Sequence, residues 1–150
     1  MTHPQVEAAG SVCRTSHRVI FADTDAMGIV YYANYLKYFE IGRAEWFRRF
    51  VQPFTKFIEQ DMYLIVVDSY CKYHWPARYD QVLQIDTRLA ELRRSKCRFD
   101  YSILCEDGSK LLASGHTTHA IVGKDGRPRR FNKEFSAQLE AAAQLDKASA

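Results

Sequence analysis

No apolar run in the 150 residues approaches the ~18 that a membrane-crossing helix needs, so no membrane span is expected. The first 18 residues contain Pro4, Glu7 and His17 without an apolar stretch; no signal peptide is read there, and a cytoplasmic location is the default. Cysteine is scarce. Cys13, Cys71, Cys97 and Cys105 form no C-x-x-C pair, and a core of this size needs no covalent staples, so reduced thiols are expected. An excess of one charge is also lacking: 21 Lys and Arg against 18 Asp and Glu leave +3, too little to make nucleic acid the main partner. Repeats, low-complexity tracts and Gly/Ser/Pro linkers are missing between about residues 15 and 145. With 47% apolar and 26% charged residues, that body reads as one globular domain, 16–145, between a flexible tail at 1–15 and a loose end at 146–150.

What is present is strongly patterned. His17 to Phe21 is a short strand candidate, followed by the turn-rich Asp23-Thr24-Asp25-Ala26-Met27-Gly28. Tyr32, Leu36, Phe39, Arg43, Trp46 and Phe50 then recur at helical spacing, with Tyr35, Tyr38, Ile41 and Phe47 adding apolar residues on other faces. A helix apolar nearly all round is buried. Gly42 in its middle costs ~1 kcal/mol of propensity relative to Ala, a loss tolerable where another backbone passes close by. The second half reads as strands. Residues 62–67 form a continuous apolar run suited to a strand covered on both faces; Leu83, Ile85, Thr87 and Leu89, then Cys97, Phe99, Tyr101, Ile103 and Cys105, alternate with polar residues. Turns at Glu106-Asp107-Gly108-Ser109 and Lys124-Asp125-Gly126 bracket a last run at 111–122, and the Asp-Gly signal predicts antiparallel pairing. Asn132 is a candidate cap for a final helix presenting Phe135, Leu139, Ala142 and Leu145. An α+β architecture follows, a long antiparallel sheet curled around a central buried helix. Its open edges are most simply hidden by pairing with a second copy, so a homo-oligomer is expected.

Two carboxylates within three residues, Asp23 and Asp25, stand where the loop enters the helix. Free amides and the dipole at a helix N-terminus favour a carbonyl that is becoming an oxyanion, so this junction can both polarise a carbonyl and hold an attacking carboxylate. Asp and Gly are also ordinary turn residues.

The segment from Phe21 through Asp23-Thr24-Asp25-Ala26-Met27-Gly28 to Tyr31-Tyr32-Ala33-Asn34-Tyr35, continuing to Phe39-Glu40, resembles the signature of the 4-hydroxybenzoyl-CoA thioesterase family of hotdog-fold acyl-CoA thioesterases. Tyr73-His74-Trp75-Pro76-Ala77-Arg78-Tyr79-Asp80 is similar to that family's second recurring element, and together they span residues 16 to 130. The resemblance implies the hotdog fold, dimers often paired into homotetramers, and active sites at the subunit interface. It implies a catalytic role for Asp25 and an oxyanion-binding backbone amide at Tyr32. The hydroxybenzoyl branch has Tyr at this second position, whereas related Tol-Pal-linked thioesterases have His. Because thiolate leaves readily, one carboxylate suffices, as nucleophile or as general base, and no metal or other cofactor is called for. Asp23 is the nearest rival, with a turn-capping role; Glu40 and Glu45 read as structural. Asn34 is the better N-cap by side-chain chemistry, which would put the Tyr32 amide slightly ahead of the first turn.

Arg93, Arg94 and Lys96 cluster at a strand-to-strand turn, and Arg127, Arg129 and Arg130 follow another. Such groups suit the phosphates of coenzyme A, and the first cluster is the candidate substrate-binding set. An acyl carrier protein, whose acidic face needs positive charge, would meet the same surface. His116 and His119, three apart on a strand, point to opposite faces and make a poor metal pair. His74 reads as a packing or turn-capping residue. The aromatic content, 9 Tyr, 9 Phe and 2 Trp, serves the core or a pocket for an aromatic acyl group. Two other classes compete: a hydratase, which would need a His-Asp constellation that is not seen, and a non-catalytic acyl-thioester-binding protein.

Overall fold

The computed structural model describes residues 12–148. Expectations for residues 1–11 and 149–150, and for the Leu145 side chain, lie outside the described residues. Strands β1 (Cys13–Arg18), β2 (Tyr63–Tyr73), β3 (Val82–Leu92), β4 (Lys96–Cys105) and β5 (Leu111–Val122) form one sheet in the order β1-β3-β4-β5-β2. Every neighbouring pair is antiparallel. Helix α1 (Asn34–Phe50) lies across one face, joined by α2 (Phe54–Glu59) and α3 (Lys133–Ala148). This is the α+β sheet-around-a-helix arrangement that the periodicity predicts.

The alternation in β3 and β4 works as read: Leu83, Ile85, Thr87, Leu89, Cys97, Phe99, Tyr101 and Ile103 are all buried. Asn132 caps α3, its side-chain oxygen accepting the Phe135 amide at 2.9 Å, and Phe135, Leu139 and Ala142 face the core. All four cysteines are free thiols.

Four expectations are corrected. The first strand is Cys13–Arg18, not 17–21, so it starts inside the expected tail, and α3 likewise runs on through residues 146–148. Its polarity hid it, because Arg14 earns its place by two bonds to the buried Asp86 carboxylate at 2.9 and 3.0 Å. Helix α1 is not buried all round. Its core seam is Tyr35, Tyr38, Phe39, Gly42, Trp46 and Phe47, while Leu36, and Tyr32 just before the helix, remain exposed. What passes close to Gly42 is a pair of side chains, not backbone: a Cβ there would overlap Thr87 Oγ1 and approach Ile85 Cγ2 to 2.7 Å. Finally, β2 is an edge strand, and Ile65, Val66 and Val67 are about half exposed in the single chain instead of covered on both faces. The short helix α2 was not foreseen; Phe54 and Phe57 dock it onto Phe47, and Phe57 stacks on Phe135 at 4.1 Å.

A buried polar chain runs under α1. Arg43 donates to the Tyr101 hydroxyl at 2.9 Å, that hydroxyl pairs with Thr117 Oγ1, and Thr117 Oγ1 meets His119 Nε2 at 2.7 Å. Burial, aided by the Arg43 charge, pushes the His119 imidazole down to about 3 from 6.5. A base whose folded value lies below its unfolded one contributes stability that is complete above about pH 6.5 and is lost as pH falls toward 3. Urea midpoints between pH 7 and 4 should therefore fall more steeply for the parent than for His119→Gln. Gly42→Ala should cost about 1–3 kcal/mol in the same unfolding measurement, because the added methyl overpacks the helix-sheet contact.

Candidate active site

The loop between β1 and α1 is a miniature hairpin. Thr24 bridges Val30, the Gly28 amide donates to the Asp25 carbonyl at 3.0 Å, and the Asp25 amide donates to the Ile29 carbonyl at 2.9 Å. Gly28 takes φ +76°, which L side chains rarely adopt, so the turn demands glycine there. Within it the Met27 amide donates to Asp25 Oδ1 at 2.8 Å. That bond fixes the carboxylate's direction and leaves Oδ2 with no protein partner among the described residues.

Asp25 lines a cavity of about 390 Å³ together with Ile29, Tyr32, Tyr35, Tyr73 and Trp75. The start of α1 forms another wall. Its N-cap is Ala33, in helical conformation and with no side-chain cap; Asn34 is the first helical residue, and its amide group instead donates to the Asp23 carbonyl at 2.9 Å. Asn34 is thus no cap. Among the described residues, neither the Tyr32 nor the Ala33 amide donates to a protein acceptor, which leaves two N–H groups for a ligand. The Tyr73 hydroxyl donates to the Tyr32 carbonyl at 3.0 Å. This carbonyl belongs to the peptide whose N–H is that of Ala33, so the bond orients that amide and polarises it as a donor. Burial, then the neighbouring Cys71, pushes the Tyr73 hydroxyl up to about 12, keeping it protonated for this task near neutral pH.

Sequence reasoning named Asp25 and Tyr32, and the fold brings both to one cavity. It missed Tyr35 and Tyr73 as lining residues, although Tyr73 opens the second recurring element. Tyr35 accepts the Ala77 amide at 3.1 Å and packs edge-on against Tyr73. His74 bonds Ser114 at 2.9 Å at the rim, and Lys110 sits 4.2 Å over the Trp75 ring. Asp23 is not a turn cap: its buried carboxylate pairs with Lys37 and accepts the Tyr38 hydroxyl at 2.9 Å. Glu40 and Glu45 do not line the cavity, and Glu45 pairs with Arg48. His116 and His119 do face opposite ways, His119 into the core and His116 toward Asp68 on the outer face.

Arg93, Arg94 and Lys96 are not brought to this cavity within one chain. Their turn is bonded to the far end of β5, through the Ile121 amide on the Ser95 carbonyl, whereas the cavity sits by Leu112, whose carbonyl accepts the His74 and Trp75 amides. Nine residues of strand separate the two ends, about 30 Å. The turn does meet the second cationic segment, because the Phe131 amide donates to the Arg94 carbonyl at 3.4 Å. Arg93 is partly committed to Glu91.

The thioesterase-like superfamily profile matches residues 19–139. The acyl-CoA thioesterase YbgC of Haemophilus influenzae is 34% identical over 122 residues, covering 80% of this chain and 88% of that one. Among solved structures, a hypothetical protein from Aquifex aeolicus superposes with a TM-score of 0.79 at 33% identity, covering 85% of this chain and 98% of that one. The DHNA-CoA thioesterase of Staphylococcus aureus shares the fold, with a TM-score of 0.83 at 23% identity over 91% of both chains. A profile spanning this much of the chain, together with the loop-helix junction it covers, makes the protein a member of the thioesterase-like superfamily.

Proposed function

We propose that the protein is an acyl-CoA thioesterase that hydrolyses a short-chain or aromatic acyl-CoA to the free acid and coenzyme A. One observation carries this: Asp25 and Tyr32 line the same aromatic-walled cavity, and the backbone amides of Tyr32 and of Ala33 next to it are unengaged among the described residues. A thioester carbonyl there would face a nucleophile on one side and oxyanion donors on the other. Asp25 acts as the nucleophile, forming a mixed anhydride that water then opens, or as the general base that takes the proton of an attacking water. In both routes the C–S bond breaks from a tetrahedral oxyanion held by the Tyr32 and Ala33 amides, and the thiolate leaves and is protonated. The cavity volume of about 390 Å³ and its Tyr32, Tyr35, Tyr73 and Trp75 walls suit a compact or aromatic acyl group.

The assembly belongs to the same proposal. Strand β2 presents a half-exposed apolar edge, Ile65, Val66, Val67 and Tyr70, which a second copy of β2 would cover as an antiparallel partner. A two-fold axis across that seam sets the Tyr73 end of one strand beside the Tyr63 end of the other. Tyr63 pairs with Val122, next to the Ile121–Ser95 bond that anchors the cationic turn. The partner's turn would thereby supply Arg94 and Lys96 to the coenzyme A phosphates over this chain's cavity. Two such dimers would make the homotetramer.

Asp25→Asn should lower thiol release by about a thousandfold or more across a panel of short, long and aromatic acyl-CoAs, with thermal unfolding and ligand binding kept; a fully active variant overturns the assignment. A lysine at Val66 should yield monomers by analytical ultracentrifugation and raise KM for acyl-CoA. A monomer with the parent's KM would show that no partner cations are needed.

A further inference from the structure

Asp23 is invested with more bonds than any reacting role requires. The residue is 3% exposed. One carboxylate oxygen pairs with Lys37 and the other accepts the Tyr38 hydroxyl at 2.9 Å, while its carbonyl accepts the Tyr31 amide and the Asn34 side chain, both at 2.9 Å. Burial alone would push this carboxyl up, but the Lys37 and Tyr38 bonds outweigh it and hold the group below its ordinary range, so it is ionised near neutral pH.

Among the described residues, the Thr24–Val30 hairpin that carries Asp25 closes on itself and is hydrogen-bonded to the rest of the fold at two places. One is to the segment before β3: the Val30 amide donates to the Ala77 carbonyl at 2.8 Å, Ile29 bridges Arg78, and the Tyr79 amide reaches the Gly28 carbonyl at 3.4 Å. None of these bonds involves α1. The other attachment is Asp23, whose partners Asn34, Lys37 and Tyr38 all belong to the first two turns of that helix. Among the described residues, no other side chain from 21 to 30 bonds to α1.

We propose that Asp23 is a positioning residue that fixes how far, and in what register, the Asp25 carboxylate stands from the amides at the start of α1. The role rests on the thioesterase reading above. Apolar packing at this place would fill the space but let the hairpin slide along the helix, since dispersion is not directional. Three bonds to the first two turns of the helix, from Asn34, Lys37 and Tyr38, define one register. A displacement near 1 Å between nucleophile and oxyanion donors costs turnover far more than binding, because the ground state tolerates it and the transition state does not.

The test compares Asp23→Asn, Lys37→Met and Lys37→Arg with Asp25→Asn, reading kcat, KM and the circular dichroism melt of each. Lys37 is 44% exposed, so Lys37→Met decides the matter even if the Asp23 variant does not fold. Asp23→Asn and Lys37→Met should lower kcat by about ten- to a hundredfold with KM within about threefold, and Lys37→Arg should recover most of that loss. A folded Lys37→Met protein with the parent's kcat, a change confined to KM, or a Lys37→Arg variant no better than Lys37→Met would overturn the positioning role while leaving Asp25 in place. Full turnover by Asp25→Asn would instead remove the thioesterase reading itself.

Discussion

Helix α1 rests on the sheet where Gly42 meets the Thr87 and Ile85 side chains, at a distance that admits a hydrogen and not a methyl group. The contact sets the height of a rigid 17-residue rod above β3, and the rod's first turn is one wall of the cavity. Around it the aromatic core is arranged to match. Phe39 stacks flat on Tyr101 at 4.4 Å, and Trp46 meets Phe99 edge-on at 5.0 Å. Close packing of this kind leaves the helix few ways to shift, so groups tied to its start inherit a fixed position.

On the proposed function, the chemistry would be assembled from three separate stretches of chain. A hairpin with a glycine-dependent turn aims one carboxylate; the end of a helix offers amides with no internal acceptor; and the last residue of β2, Tyr73, reaches over to orient one of those peptides. None of the three is reactive alone. An exposed carboxylate is a poor nucleophile in water, and helix-start amides are ordinarily hydrated. Aromatic walls border the cavity that Asp25 and Tyr32 share; a bound acyl group would displace water there and leave fixed dipoles to act on a developing charge.

Acidic residues of one loop divide sharply by environment. Asp23 is buried, neutralised by Lys37 and turned away from the cavity, whereas Asp25, two residues on, is half-buried and lines it. Their spacing in sequence made them look like rivals; their separation arises because the 3-10 turn over Phe21–Asp23 points Asp23 into the helix and the hairpin beyond it reverses the chain. Local sequence is equally silent on where the cationic turn at Arg93, Arg94 and Lys96 lies relative to that loop. Register places it at the opposite end of β5.

Sequence by itself determined the alternating strands β3 and β4, the turns around β5, the Asn132 cap of α3, the long helix and the loop that carries Asp25, because each follows from a local period or from the backbone demands of single residues. It also misplaced what depends on neighbours far along the chain. The polar strand β1 exists because Asp86, 72 residues after Arg14, accepts that guanidinium. The apolar run in β2 became an open edge because strand order, not composition, decides which strand lacks a second neighbour. The seam of α1 was rotated for a similar reason: of its many apolar faces, only the one that could reach β3 and β4 was buried. Periodicity reports which faces can be buried, and only the completed sheet decides which of them is.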